Sequence, residues 1–205
     1  AYPAVKEYLS QHKERLKPKP KDWNPRHEDA KWPGRKSGSY AWYEIQDAVD
    51  YYKAFEGTKI IYSDLSVRGS FTLDESGIYP ANTLYIIADA GLYLLGLLNS
   101  RLAGFYYIHH FATYRGSYLR FFKDTLKRLP VIPREDASQD LREKIESHAQ
   151  KLLDLHDAPE GVVESRGDQI RREENALDEA VYELYGLTPD EIQLVEQRVP
   201  AIDEV

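Results

Sequence analysis

The fold is decided by the run Leu92-Tyr-Leu-Leu-Gly-Leu-Leu-Asn-Ser-Arg-Leu-Ala-Gly-Phe-Tyr-Tyr-Ile-His-His-Phe111. This run is apolar over the length of a helix. Its large side chains recur at steps of three and four residues, namely Leu92, Leu95, Leu98, Leu102, Phe105, Tyr106 and His109. Side chains at that spacing share one face of an α-helix, and an apolar face has to be buried. The run therefore predicts one helix that packs by this face against a sheet.

The segment after this helix is rich in arginine and tyrosine and reads Ala112-Thr-Tyr-Arg-Gly-Ser-Tyr-Leu-Arg-Phe-Phe-Lys123. Arginine offers a forked pair of donors and tyrosine offers a stacking face, so this composition suits a polyanion or the edge of a base. The candidate contact residues are Tyr114, Arg115, Ser117, Tyr118 and Arg120. The alternative is that Tyr118, Leu119, Phe121 and Phe122 belong to the core and the arginines are merely solvated. The segment alone leaves both interpretations open.

Composition excludes several classes of protein. The chain has 205 residues, 42% of them hydrophobic, and no cysteine, so disulfides and thiolate zinc sites are excluded. The six histidines lack a metal-binding spacing, and we expect no metal. No apolar run is long enough to cross a bilayer and the start lacks the layout of a signal peptide, so we expect a soluble protein without a membrane partner. The first residue is Ala1, which suggests a fragment of a longer chain, although removal of methionine would look the same.

The net charge of −7 hides a strong asymmetry along the chain. Residues 1–38 carry ten Lys and Arg against five Asp and Glu, and residues 39–134 carry ten against nine. Residues 135–205 carry seven against twenty, so the acidity lies mostly in the last third. A polyanionic partner would therefore be met by the first two-thirds of the chain.

The first 134 residues read as one mixed α/β domain. A helix over Ala4–Leu16 is stopped by the alternating prolines of Lys17-Pro-Lys-Pro-Lys21, and a long basic loop with two tryptophans follows as far as Gly38. A short helix or strand is expected near Asp47–Phe55. Strands are predicted at Lys59–Asp64, Ser70–Asp74 and Thr83–Ala88 from their β-branched and aromatic residues. We expect a small mixed sheet with packed helices.

Residues 135–205 read as a C-terminal helical appendage. Two polar helices each carry a narrow apolar stripe, which suits a helical pair that packs on itself, on the α/β domain or on another protein. Gly186 can adopt the left-handed conformation that ends a helix, and Thr188-Pro189-Asp190-Glu191 combines a capping box with proline at the first helical position. An interaction scaffold built from these acidic helices is therefore an alternative function.

Motifs for catalysis are missing from the chain. Gly34-Arg-Lys-Ser-Gly38 has neither the spacing nor the setting of a phosphate-binding loop, and no serine lies in a nucleophile elbow. Because cysteine is absent too, the chain carries a binding surface without a convincing active site. We expect that it is not catalytic on its own.

Several segments in a characteristic order carry a resemblance to a known family. They are Lys59-Ile-Ile-Tyr-Ser-Asp-Leu-Ser66, Ile78-Tyr-Pro-Ala-Asn-Thr-Leu-Tyr-Ile-Ile87, the start of the Leu92 run with Arg115-Gly-Ser-Tyr-Leu-Arg-Phe121, Leu126-Lys-Arg-Leu-Pro-Val-Ile-Pro133 and the ending from Ala180 to Ile192. Together, over about residues 3–195, they resemble the C-terminal specificity, or target-recognition, domain of TaqI-like adenine DNA methyltransferases and type IIG restriction-modification enzymes.

The resemblance implies a division of labour within a longer polypeptide. An upstream domain would bind S-adenosylmethionine and methylate the N6 amine of adenine, whereas this chain would bind double-stranded DNA and position the target. The parent would be a prokaryotic, cytoplasmic enzyme, with or without a nuclease domain. The residues that the resemblance makes candidates for DNA contact are Lys31, Arg35, Lys36, Tyr40, Arg68, Tyr114, Arg115, Ser117, Tyr118 and Arg120. The recognised base sequence is not readable from these residues.

Overall fold

The computed structural model describes residues 2–24, 31–47, 49–159 and 165–199. By its internal contacts the chain divides into two compact units, Ala1–Tyr52 and Lys53–Val205, and each is described by itself. Residues 25–30 of the predicted basic loop, which include Arg26, lie outside the described residues. None of the described helices combines the length and the apolar character that a membrane span requires.

The first unit contains two short helices, α1 (Pro3–Ser10) and α2 (Lys13–Leu16), in place of the single predicted helix. No residue of either helix is buried, so tertiary packing does not stabilise one continuous helix over this segment. The proline-rich segment after α2 is tied back by a parallel bridge between Pro18 and Arg35. The N–H of Lys19 donates to Arg35 O at 3.0 Å, and the N–H of Arg35 donates to Lys17 O at 2.9 Å. A 3₁₀ helix, Asp50–Phe55, spans the boundary between the units.

The second unit begins with a three-stranded antiparallel sheet whose strands the sequence predicts to within one residue at each end. The strands are β1 (Lys59–Ser63), β3 (Phe71–Asp74) and β4 (Leu84–Ala88), in the order β3-β1-β4. Ile60 lies opposite Leu73 on one side and Ile87 on the other. Because β1 is central, it is almost entirely buried.

A second three-stranded antiparallel sheet was not predicted. It joins β2 (Leu65–Ser66), β5 (Thr113–Tyr114) and β6 (Tyr118–Arg120) in the order β2-β6-β5. Its strands have two or three residues, too few for a periodic pattern to be recognised. The mixed α/β class is confirmed, with the strands arranged in two small antiparallel sheets.

Strands β5 and β6 form a hairpin with a left-handed tip. Tyr114 pairs with Tyr118, and the three residues between them carry the turn. Arg115 has a φ of 48° and Gly116 a φ of 87°, and the N–H of Ser117 donates to Arg115 O at 3.2 Å. Glycine adopts such angles without steric cost, whereas arginine pays for them.

The Leu92 run forms two helices, so the prediction of one helix is wrong. They are α3 (Leu92–Asn99) and α4 (Arg101–His110), separated at Ser100, whose backbone is extended. The Ser100 hydroxyl oxygen accepts the N–H of Ala103 at 3.2 Å and caps α4. Serine is a favoured N-cap, so a polar signal inside the apolar run starts a new helix there.

The predicted helix face is only partly the buried one, because α3 lies between two apolar clusters. Leu95 and Leu98 belong to a core with β1, β3, α4, β6 and Phe121, while Tyr93 and Leu97 pack against the C-terminal helices. His109, placed on the buried face by its spacing, is exposed. Tyr107, outside that face, is fully buried, and its hydroxyl donates to Leu98 O at 2.9 Å.

The C-terminal helices are α5 (Lys123–Leu126), α6 (Gln139–Asp157), α7 (Arg166–Tyr185) and α8 (Pro189–Arg198). The left-handed conformation of Gly186 and the capping box of Thr188 and Glu191 are both confirmed. The apolar stripes of α6 and α7 pack on each other and on α3. A Cβ at Gly96 would lie 2.7 Å from Ile145 Cγ2, so α3 approaches α6 at a point where only glycine fits.

Two buried ion pairs join these elements. The Lys59 ammonium donates to Asp74 and, at 2.7 Å, to Phe55 O, and this lysine holds the pKa of Asp74 well below its usual range. Asp178 accepts the N–H of Arg101 at 2.7 Å and lies 3.2 Å from Arg101 Nε, which ties the start of α4 to α7. Burial, together with the charges of Glu174 and Glu196, raises the pKa of Asp178 to about 7, although Arg101 opposes this shift.

The raised pKa of Asp178 predicts a specific dependence of stability on pH. The folded state binds the Asp178 proton more tightly than the unfolded chain, so this stabilising contribution is complete at acidic pH and is lost as the pH rises through about 7. Asp178→Asn keeps an acceptor for the Arg101 N–H and removes the titration. We expect the unfolding free energy of the wild type, relative to Asp178→Asn, to fall between about pH 4 and 7 and to level off above that. Urea unfolding at several pH values measures this, with exposed Asp168→Asn as control, and parallel pH profiles for wild type and Asp178→Asn would refute it.

The hairpin tip gives a second prediction about stability. A Cβ at Gly116 would meet no atom within 4 Å, and neither would one at Gly167 in α7, so only the backbone distinguishes the two glycines. Gly116→Ala should cost about 1 kcal/mol through its positive φ, whereas Gly167→Ala should stabilise by up to about 1 kcal/mol. Urea unfolding of both variants tests this. Stabilisation by Gly116→Ala would show that the tip does not hold a left-handed conformation.

Candidate nucleic-acid interface

The hairpin presents alternating side chains from a buried base. Along β6 and beyond, Leu119 and Phe121 are buried, whereas Tyr118 and Phe122 are about half exposed. The N–H of Arg120 donates to Ala112 O at 2.8 Å, and the N–H of Phe121 donates to Asp64 O at 2.9 Å. The core interpretation therefore holds for Leu119 and Phe121 and is wrong for Tyr118 and Phe122, which lie on the exposed side of the segment.

The two arginines of the hairpin are held differently. The Arg120 guanidinium lies 3.1 Å from Asp64 and is 4.9 Å from the Tyr114 ring centroid and 5.3 Å from that of Phe122. Arg115 is exposed at the tip and lies 5.3 Å from the Tyr114 ring, and its side chain has no carboxylate partner in the described part of the chain. Arg120 therefore organises the hairpin, while the donors of Arg115 remain available to a ligand.

Tyr118 and Arg68 share the wall of a cleft of about 640 Å³ in the second unit. Arg68 is exposed in the connection between β2 and β3, and the cleft also exposes Asn99 and His156. Burial lowers the pKa of His156, and the positive charges of Arg166 and Arg68 lower it further. Asp157 opposes this shift, and the cleft is also lined by Glu174 and Asp178, so it carries charges of both signs.

The first unit holds the other four candidates. Arg35 donates from Nε to Leu16 O at 2.7 Å and from its terminal nitrogens to the carbonyls of Ala41, Trp42 and Glu44. The Arg35 guanidinium also lies 4.5 Å from the Tyr40 ring, and the Tyr40 hydroxyl donates to Lys36 O. Arg35 and Tyr40 thus fold the loop and offer little to a ligand. The side chains of Lys31 and Lys36 are exposed, the latter 3.5 Å from Asp47.

Three further exposed cations follow β6 and were not among the sequence candidates. They are Lys123, Lys127 and Arg128, in and just after α5. The sequence did contain a signal for them, because residues 113–128 hold five cations against the single acid Asp124. Their exposure could not be predicted from the sequence, because it depends on the direction in which Leu126 packs into the core.

Neither a cluster of metal-binding side chains nor a phosphate-binding loop is found among the described residues. No group of three or more His, Asp or Glu among residues 2–24, 31–47, 49–159 and 165–199 could hold a metal ion. The glycines at 34 and 38 lie in a loop without the strand-to-helix turn that cradles phosphates. The surface of the described residues instead presents hydrogen-bond donors and aromatic rings, such as those of Arg115 and Tyr118.

Comparison with known proteins places the chain in a family. Residues 5–131 match the TaqI-like C-terminal specificity domain, which is more than half of the chain. A solved type IIL restriction-modification enzyme, MmeI, in complex with DNA has the same fold, with a TM-score of 0.57 at 16% identity. The match covers 95% of this chain and 25% of MmeI, so the chain spans about a quarter of that enzyme. No curated protein matches in sequence. The chain belongs to the family of TaqI-like C-terminal specificity domains.

Proposed function

We propose that this chain is the DNA target-recognition domain of a restriction-modification enzyme and that the β5–β6 hairpin faces the duplex. The observation that carries the proposal is the exposed tip, Arg115-Gly-Ser117, with Tyr118 beside it, on a base fixed by Leu119 and Phe121. A forked donor and a stacking ring on a rigid support are what groove recognition requires. The complex of MmeI with DNA supports this function by analogy of fold.

The candidate residues divide into two roles in this proposal. Arg115, Ser117, Tyr118 and Arg68 face the duplex from the second unit, and Lys31 and Lys36 add contacts from the first. The remaining candidates act by positioning, because their polar groups and rings are engaged within the protein; they are Tyr114, Arg120, Arg35 and Tyr40. A positioning residue changes affinity through the hairpin or the loop that it holds.

The finer part of the proposal concerns the parent enzyme. Residues 1–134 would form the recognition domain and residues 135–205 a helical appendage, with an upstream domain that methylates the N6 amine of adenine in a prokaryotic cytoplasm. S-adenosylmethionine would bind that upstream domain, and a nuclease domain would make the parent a type IIG enzyme. The family membership and the lack of catalytic motifs in this sequence support this division. Methyl transfer from S-adenosylmethionine to one adenine of a defined duplex by the full polypeptide tests it.

The scaffold alternative loses the observation that motivated it. The apolar stripes of α6 and α7 are covered by α3 and by each other, through Ile145, Leu177 and Val181. A stripe that is buried within the chain gives no reason to expect a protein partner.

Arg115→Ala should weaken binding of the recognised duplex by about 1–3 kcal/mol if this arginine reads a base. The measurement is a binding titration of the full polypeptide with a duplex selected by the wild type from a random-sequence pool. Arg172→Ala is the matched control, because Arg172 is an exposed arginine of α7 far along the chain from the hairpin. Unchanged affinity in Arg115→Ala, Arg120→Ala and Lys36→Ala together would remove the proposed interface.

A further inference from the structure

Three exposed cations lie directly after the β5–β6 hairpin, in and just after α5. The side chains of Lys123, Lys127 and Arg128 form no ion pair and no hydrogen bond in the part of the chain that the structure describes. Asp124, the only acid in the segment, lies beyond 4 Å from all three charged groups. Some other exposed cations of the second unit are paired, as Lys144 is with Asp140 and Arg134 with Glu146.

The backbone that carries these cations is firmly fixed. Leu126 is 8% exposed and Phe121 1% exposed, so the short helix α5 is anchored from both ends. The N–H of Lys127 donates to Lys123 O at 3.0 Å, and the Tyr106 hydroxyl donates to Arg128 O at 3.0 Å. The three charged groups can therefore move only by rotation of their own side chains.

The same apolar cluster supports α5 and the hairpin. Leu119 of β6, Phe121 and Leu126 all belong to the core that contains Tyr107. The position of the three cations relative to the hairpin is thus set by packing, as a two-point contact with a stiff ligand requires.

Spacing and charge indicate the chemistry of the partner. Lys123 and Lys127 are four residues apart, so their Cβ atoms lie about 5–6 Å apart on one helix face. Residues 113–128 hold five cations and one acid, whereas the whole chain has a net charge of −7. A row of unpaired cations on a fixed support suits a polyanion with regularly spaced charges.

We propose that Lys123, Lys127 and Arg128 form a phosphate-contacting ridge that holds the DNA backbone while the hairpin enters the adjacent groove. The inference rests on the proposed function and adds a division of contacts to it. The ridge supplies affinity independent of sequence, and the tip supplies discrimination. Such contacts release counterions, so they determine how steeply affinity falls as salt rises.

The test is the salt dependence of binding to a random-sequence duplex by the full polypeptide. For the triple variant Lys123→Gln, Lys127→Gln, Arg128→Gln, the slope of log K against log salt should become shallower by about 0.9 for each lost contact. The ratio of affinities for the selected and the random duplex should stay within about twofold of wild type, because lost phosphate contacts weaken all sequences equally. A conservative variant, Lys123→Arg, Lys127→Arg, Arg128→Lys, should retain the wild-type slope.

A matched control separates local contact from net charge. Lys144→Gln, Arg172→Gln, Arg198→Gln removes the same charge from exposed positions of α6, α7 and α8 and should leave the slope unchanged. Equal slopes for the ridge triple and the wild type would overturn the inference, as would equal shallowing in the control. If the ridge triple does not fold, the three single variants take its place, each with an expected change of about 0.9.

The outcome also distinguishes this inference from the proposed function. If the wild type binds no duplex, the proposed function itself fails. If the wild type binds with a steep salt slope that the ridge variants do not alter, the function stands and only the ridge is refuted. Binding of the wild type to an acidic polypeptide such as polyglutamate, with an affinity equal to that for duplex, would also count against the ridge, because it would show a non-specific cationic surface.

Discussion

The burial of α3 on both faces is the constraint on which the second unit depends. Leu95 and Leu98 pack into the core that carries the sheets, and Tyr93 and Leu97 pack against α6 and α7. The close contact at Gly96 leaves no room for a side chain between α3 and α6. Because one helix serves two cores, the elements before and after it cannot shift independently, and Asp178 adds a polar tie at the start of α4.

The hairpin inherits its rigidity from this arrangement. Tyr107 and Phe121 are 0% and 1% exposed, and their ring centroids lie 5.1 Å apart, edge to face. Aromatic contacts of this kind stabilise beyond the area that they bury. The tip residues can therefore be strained and exposed, with positive φ at Arg115 and Gly116, because the strands beneath them are fixed. The position of the exposed tip therefore depends on the packing of this core.

Local signals predicted the regular elements, and tertiary contacts decided the rest. The strands around Ile60 follow from β-branched runs, and the capping box at Thr188 acts within four residues, so both were readable. The second sheet could not be predicted from the sequence, because Arg120 of β6 pairs with Leu65, which lies 55 positions earlier in the chain. Ser100 ended the predicted helix by a cap inside an apolar run. The site could be predicted only in part for the same reason. Arg35 and Arg120 are engaged by carbonyls, rings and a carboxylate that only folding brings together, so their engagement could not be predicted from the sequence.

Whether the hairpin and α5 face the duplex can be measured by amide hydrogen exchange of the full polypeptide with and without the selected duplex, because the ligand slows exchange of the backbone that it covers. We expect slower exchange over residues 113–128 when DNA is bound, with exchange in α6 and α7 unchanged. Slower exchange confined to α6, α7 and α8, with the hairpin and α5 exchanging as in the free protein, would contradict it.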